Sequence, residues 1–339
     1  MVNISIIIPI YNGEKYIERC MESLLNQTYQ EFEIVLIDNN SNDRSYAICK
    51  RYAEFTKKVV LFQEMKPGPG CARNRGLSVA KGRYITFLDC DDYWESDYLE
   101  KMIKAAEANS DLDLILCGRF YDEVPDGKDK VECIGKERYQ HTIVRKEELQ
   151  RNPYAFFKYT GTRGPVCKLF KKTIIEHCNI KFPETIKMME DLCFCMEYIS
   201  HCKNIELIEA VLYHQFIHKD SLSKSSQLED ITSWECVIDV LKRTISRTTE
   251  INWSIFYHDL LIGFPMQCVN MYTKQKIGII ECVNNIFNFL NRKDIAAYIK
   301  KYCNSSVLDR MSRSRICIAN YIIKRRTKQA VYRIKSNLT

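Results

Sequence analysis

No stretch of the 339 residues reaches the roughly eighteen uninterrupted apolar positions that a membrane-spanning helix requires. The apolar start, MVNISIIIPIYNG, has neither a basic flank nor a small-residue cleavage site, so it reads as a strand rather than a signal peptide. Sixteen cysteines are present, yet no two are spaced Cys-x-x-Cys. Cys193, Cys195 and Cys202 fit no usual zinc-ligand pattern. Many cysteines sit inside apolar runs, such as Cys117 in DLILCG, and read as small buried hydrophobes in a reducing cytosol. The G-x-G-x-x-G signature is missing after the first strand, and so is the P-loop, which sets aside those two phosphate-binding designs. No internal repeat or low-complexity segment is visible. The last absence is of negative charge. From Met311 onward there are eight cations (Arg313, Arg315, Lys324, Arg325, Arg326, Lys328, Arg333 and Lys335) and no Asp or Glu. Because the whole chain is +7, the first 310 residues are close to neutral.

What is present begins with alternation. Ile4 to Ile10 is an apolar, β-branched run and reads as a strand buried on both faces. Glu14 to Gln27 places Ile17, Met21, Leu24 and Leu25 at helical spacing. Phe32 to Ile37, Val59 to Phe62, Tyr84 to Leu88 and Leu112 to Cys117 read as further strands. Asn42 to Phe55, Cys71 to Lys81 and Ser96 to Asn109 read as the helices between them. Ser41 or Asn42 is the expected cap of the second helix, Gly82 the left-handed stop of the third, and Ser96 the cap of the fourth. The alternation predicts an α/β fold, a mostly parallel sheet flanked by helices. The expected organisation is 1–118 and 119–225 as two halves of one α/β domain, then a helical region, 226–339, ending in the basic tail. Asp122 to Lys136 reads as a polar insertion.

In such sheets ligands bind beyond the C-terminal strand ends. That gathers three loops, 9-PIYNGE-14, 38-DNNSND-43 and 89-DCDDYW-94. In the third, Asp89, Asp91 and Asp92 crowd four positions, and three anions this close repel unless a cation or hydrogen-bond donors stabilise them. Oxygen ligands at a strand end suit Mg²⁺ or Mn²⁺ completed by phosphate oxygens, with Asp91 and Asp89 as the protein ligands. A solvated acidic turn is the plain alternative. The segment 68-GPGCARNRG-76 brings Arg73 and Arg75 to a helix start, where anions are favoured.

Two long pieces, SIIIPIYNGEKYIERCMESLLNQTYQEFEIVLIDNNSND and GPGCARNRGLSVAKGRYITFLDCDDYWESDYLEKM, resemble in order and spacing the N-terminal half of family 2 glycosyltransferases. Those enzymes have the Rossmann-like GT-A fold. CKLFKK, MMEDLCFCMEY and VLYHQFIHKDSLS resemble the family's acceptor-side segments. The resemblance implies that Pro9, Tyr11 and Glu14 line a base and ribose pocket. It implies that Asp38 and Asn39 read the pyrimidine edge and that Arg73 lies near the diphosphate. Asp89 would face the ribose side of a D-x-D motif, Asp91 would contact a divalent metal, and Asp191 would be the catalytic base.

The implied reaction is inverting, metal-dependent and non-processive. One sugar would pass from a nucleotide-sugar, UDP in first place and dTDP in second, to a hydroxyl of a growing lipid-linked bacterial glycan. Processive synthases of the family carry membrane helices and a Q-x-x-R-W segment, and neither is present here. One base suffices when the leaving group departs as a metal-held diphosphate. A sugar nucleotidyltransferase is a competing reading, but its Gly-rich basic N-terminal loop is missing. A non-catalytic nucleotide- or glycan-binding protein is the other, and the three intact aspartates oppose it.

Two positions depart from the family pattern: Asn39 stands where a second Asp is common, and Phe216 stands where an Arg is common, with His214 and His218 nearby. His218 is read as structural or as a partner of the diphosphate or metal, Trp94 as a sugar-stacking or helix-packing residue, and Lys168 as shaping the acceptor pocket. The tail interleaves cations with Ile316, Ile318, Tyr321 and Ile322, which suits an interfacial helix on anionic lipid; a solvated helical face is the alternative. The expected location is cytoplasmic, peripheral on the inner face of the membrane. No nucleic-acid module accompanies the charge, so nucleic acid is not an expected partner.

Overall fold

The computed structural model describes residues 2–124, 131–151, 164–186, 189–218 and 278–292, with isolated positions between 236 and 321. The chain divides into two compact units. One is Met1–Lys224 with Glu235–Glu250; the other is Ser225–Trp234 with Ile251–Thr339.

In the first unit the elements run β1 (Ile4–Ile10), α1 (Ile17–Leu25), β2 (Phe32–Asp38), α2 (Ser45–Phe55), β3 (Val59–Gln63), α3 (Pro69–Val79), β4 (Tyr84–Phe87), β5 (Tyr93–Trp94) and α4 (Tyr98–Ala108). They continue with β6 (Leu112–Glu123), β7 (Glu132–Glu137), β8 (Thr142–Arg145), α5 (Lys146–Arg151), β9 (Lys168–Lys171), α6 (Lys172–His177), α7 (Glu190–His201) and β10 (Asn204–Ile217). The strands form one sheet in the order β3-β2-β1-β4-β9-β6-β10-β5, with β7 paired to β6 and β8 paired to β10.

The α/β class holds, but the sheet is mixed. β3, β2, β1 and β4 are parallel, whereas β9 runs antiparallel to both β4 and β6. Within the parallel part β1, β2 and β4 are buried on both faces, which is why they read as continuous apolar runs. Ile4, Ile6, Ile8 and Ile10 pack on one side with Met21 and Leu24 of α1 and Leu99 and Met102 of α4. Ile7, Val35 and Ile37 pack on the other with Ala72 of α3 and Phe194 and Tyr198 of α7.

Several local expectations change. α2 begins at Ser45, not Asn42, because Asp43 Oδ1 accepts the Ser45 N–H at 2.9 Å while Ser41 and Asn42 serve the neighbouring loop. α3 ends at Val79, and Gly82 is not left-handed. Its lack of a side chain instead admits β1, since a Cβ there would stand 2.5 Å from the Ser5 nitrogen. α4 starts after Asp97 rather than Ser96. β6 runs on to Glu123, so the expected insertion contributes the end of one strand and most of another, β7. These segments escaped the apolar pattern because β7 is largely exposed and polar.

In the second unit, α8 (Ile279–Leu290) buries Cys282, Ile286, Phe289 and Leu290 on one face. Arg315, the one tail cation among the described residues, lies over Phe287 with its guanidinium carbon 4.2 Å from the ring centroid. The other tail positions named above, apart from Met311, Ile318 and Tyr321, lie outside the described residues. Among the described residues no helix is long and apolar enough to cross a membrane.

Candidate active site

The parallel strand order places the turns after β1, β2 and β4 side by side, and hydrogen bonds join the first two. Asn12 N–H donates to Ser41 Oγ, Gly13 N–H to Ser45 Oγ and Glu14 N–H to Asp43 Oδ2, while Asn12 Oδ1 accepts from Asn42 N–H. Glu14 returns the bond: its carboxylate accepts from the backbone and guanidinium of Arg44, which hold it below the usual carboxylate range. Glu14 therefore organises the two loops. Pro9 lies within β1, and Tyr11 stands just beyond that strand with 57% of its surface exposed.

Asp38 ends β2, is buried, and keeps Oδ1 without a hydrogen-bond partner. A buried carboxylate oxygen left unpaired is costly unless a ligand donor meets it. Asn39 is different. Its amide donates to the carbonyls of Glu64 and Lys66, both at 2.8 Å, and its Oδ1 accepts from Gly68 N–H at 2.8 Å. Both donor hydrogens and the acceptor are thus engaged in pinning the β3–α3 connection, work an Asp side chain could not do because it cannot donate.

The acidic turn after β4 divides its carboxylates. Asp92 turns away: it is buried and accepts from the Tyr213 hydroxyl and from the Phe216 N–H at 2.7 Å, so it locks the turn to β10. Burial, then Asp91 and Asp89, push its carboxyl well above the usual range. Asp91 Oδ2 lies 2.8 Å from His218 Nε2, and burial followed by Asp89 raises its carboxyl. Asp89 pairs with Arg73 at 3.0 Å.

Arg73 is the bridge of the site. One terminal nitrogen reaches Asp89 and the other reaches Glu190 Oε1, each at 3.0 Å, while Nε is buried and unpartnered. Burial alone lowers its pKa, but Asp89 and Glu190 more than offset that and leave it raised. Arg75, by contrast, lies over Phe62, its guanidinium carbon 5.2 Å from the ring centroid.

α7 starts after Met189, whose backbone is left-handed at φ 64°, an uncommon conformation for a residue with a side chain. That start presents Glu190 and Asp191. Burial, then Asp191, push Glu190 up to about 7 against the pull of Arg73. Burial also raises Asp191. Asp191 Oδ1 accepts the Leu192 N–H at 2.7 Å, and Oδ2 lies 3.5 Å from where a Cβ on Gly164 would stand. Lys168 is buried and donates to the Gly164 and Val166 carbonyls, so it shapes the backbone beside Asp191.

The structure thus brings Arg73, Asp89 and Glu190 together and sets Asp91 against His218. Trp94 is 3% exposed and stacks on Tyr98 with centroids 3.9 Å apart, so it packs the start of α4 and offers no face to a sugar. His214 is held between Asp122 and Glu95 and stacked between Tyr93 and Phe120, a structural position. Glu190 went unnamed as a site residue in the sequence, where its place beside Asp191 was the only signal. Asp91 and His218 fit a divalent cation chemically, one hard oxygen and one imidazole nitrogen with a crowding carboxylate nearby. Among the described residues no group of three or more such side chains forms a complete protein cage, so other ligands would complete the shell.

Known proteins share this architecture. S. aureus TarS 1-349 in complex with UDP-GlcNAc has a TM-score of 0.69 at 21% identity, covering 98% of this chain and 92% of that one. A mannosyltransferase from Pyrobaculum calidifontis, in complex with GDP-Man and Mn²⁺, has a TM-score of 0.52 at 15% identity, covering 95% and 87%. These likenesses give the fold, GT-A. The poly(ribitol-phosphate) beta-glucosyltransferase of Bacillus spizizenii is 32% identical over 224 residues, 65% of this chain and 33% of that protein. The chain covers 63% of the length of two Bacillus subtilis glycosyltransferases, less than two thirds. The family model described as Glycosyl transferase family 2 matches residues 5–177, just over half of the chain, and the chain belongs to that family.

Proposed function

We propose that this chain is an inverting, non-processive glycosyltransferase that moves one sugar from a UDP-sugar to a hydroxyl of a growing, lipid-linked bacterial glycan. The observation that carries the reading is the Arg73 bridge. One guanidinium joins the D-x-D turn to the start of α7, so donor-side carboxylates and the Asp191 carboxylate share one neighbourhood.

Asp38 Oδ1 is a ready acceptor for the N3–H of a pyrimidine base, and exposed Tyr11 offers a ring for that base. The unpartnered Arg73 Nε is a donor for a diphosphate oxygen. Asp91 and His218 would hold Mn²⁺ or Mg²⁺, which when bound supplies Lewis acidity toward the departing diphosphate. Asp191 Oδ2 takes the proton of the acceptor hydroxyl as that oxygen bonds to the anomeric carbon. The bond from that carbon to the nucleotide diphosphate breaks with its electron pair, and the configuration inverts. Gly164, without a side chain, leaves room for the acceptor beside Asp191. The ribitol-phosphate polymer in the name of one relative, together with the basic tail, favours an anionic, membrane-borne acceptor, with the chain peripheral on the cytoplasmic face.

The test is single-turnover transfer from UDP-sugars to glycan acceptors by Asp191→Asn protein. Turnover should fall by about 10²–10⁴-fold, the usual worth of a general base, with UDP affinity unchanged. Undiminished turnover would remove Asp191 from the mechanism.

A further inference from the structure

Arg19 is half-buried on α1 and takes no part in the chemistry above. Its terminal Nη2 donates to the main-chain carbonyl of Asp91 at 2.6 Å. Its guanidinium carbon lies 4.8 Å from the ring centroid of Tyr93 and 4.1 Å from that of Phe216. Asp91 lies in the turn after β4 and Tyr93 opens β5, into which that turn leads; Phe216 stands two residues before His218 at the end of β10. One side chain from a third element therefore grips both segments that bring Asp91 Oδ2 and His218 Nε2 to 2.8 Å. The residue three positions earlier, Tyr16, stacks on the His218 ring with centroids 4.9 Å apart. Positions three apart share a helix face, so the start of α1 backs the Asp91–His218 pair from one side.

We infer that Arg19 is a positioning residue: it clasps the Asp91 turn to the end of β10 and so presets the Asp91–His218 pair for a divalent cation. The inference rests on the proposed cation-dependent nucleotide site. Outer partners that orient a ligand tune the affinity of the metal it holds. Arginine suits the task because a planar guanidinium donates from its edge while its face covers an aromatic ring; a lysine ammonium is a compact point charge without that planar fork.

The sign of the effect separates this role from plain electrostatics. Arg19 is itself a cation, and a charge acting only through Coulomb repulsion would oppose Mn²⁺, so removing it would tighten Mn²⁺ binding. A positioning role predicts the opposite. The experiment titrates Mn²⁺ at fixed UDP by calorimetry in wild type, Arg19→Met and the milder Arg19→Lys, alongside UDP alone. Arg19→Met should need about 10–100-fold more Mn²⁺, the usual cost of losing an outer-shell partner. Arg19→Lys, which keeps the charge, should recover only part of the loss, and metal-free UDP affinity should stay at the wild-type value. An unchanged or lower Mn²⁺ requirement in Arg19→Met overturns the inference alone, as does an equal loss of metal-free UDP affinity. Wild-type protein that binds UDP with no regard to Mn²⁺ overturns the cation reading beneath it, and the inference with it.

Discussion

Glu190 illustrates how a single buried side chain couples folding to pH. Its carboxyl has an unfolded value of 4.5 and a folded value of about 7, raised by burial first and by Asp191 second. Between those values the folded protein holds a proton that the unfolded chain has released. Stability from this group is complete below 4.5 and is lost as pH rises through about 7. Glu190→Gln removes the titration, so its stability should change less across that window, the difference being at most about 1.4 kcal/mol per pH unit. Urea denaturation at several pH values checks this, and parallel curves for the two proteins would contradict it. Asp191 is displaced in the same direction by burial, so the acid limb of turnover should lie above that of an ordinary aspartate. In the sequence, the roles proposed for Asp38, Asp89, Asp91 and Asp191 rest only on the motif order of the family it resembles. The division of labour inside Asp89-Cys90-Asp91-Asp92 was not legible there, because the partners of Asp92 lie 121 and 124 residues away on β10.

Elements were legible where burial imposed a period. β1 and β2 are buried on both faces, and α1 buries Ile17, Cys20, Met21 and Leu24 on one stripe, so each announced itself. β7 and β8 did not, because their residues are largely exposed and lack an apolar alternation. Loop structure was the least legible of all. Asn39 read as a substituted nucleotide contact, yet its amide ties the end of β2 to the β3–α3 connection through three bonds. Restoring the family's common residue there should therefore harm this protein. In Asn39→Asp the Glu64 and Lys66 carbonyls lose their donors and face a buried carboxylate, at a cost of about 1–3 kcal/mol. Thermal or urea unfolding measures it, and a variant as stable as wild type would show that the amide does not organise the connection.

At the scale of the whole molecule, charge is segregated: a near-neutral body and a tail of eight cations. If the tail meets a membrane, the chain should pellet with vesicles rich in anionic phospholipid at about 1 kcal/mol per engaged Lys or Arg. Salt near 1 M should release it, since the screening length falls to about 3 Å. Equal pelleting with neutral vesicles would contradict an electrostatic role for the tail. The sheet that places the candidate site depends on the strand crossing the sequence did not reveal, β9 running antiparallel between β4 and β6. The crossing is short and follows residues with no clear period, so no local signal marked it.

In the proposed mechanism the D-x-D turn holds a cation that in turn holds a diphosphate. The most direct measurement is calorimetric titration of UDP, dTDP and GDP into the folded protein with and without Mn²⁺, repeated with Asp91→Ala. Mn²⁺-dependent UDP binding is expected in wild type and its loss in Asp91→Ala, with GDP the weakest ligand. Absence of nucleotide binding in the presence of Mn²⁺, or binding that Asp91→Ala leaves intact, would contradict it.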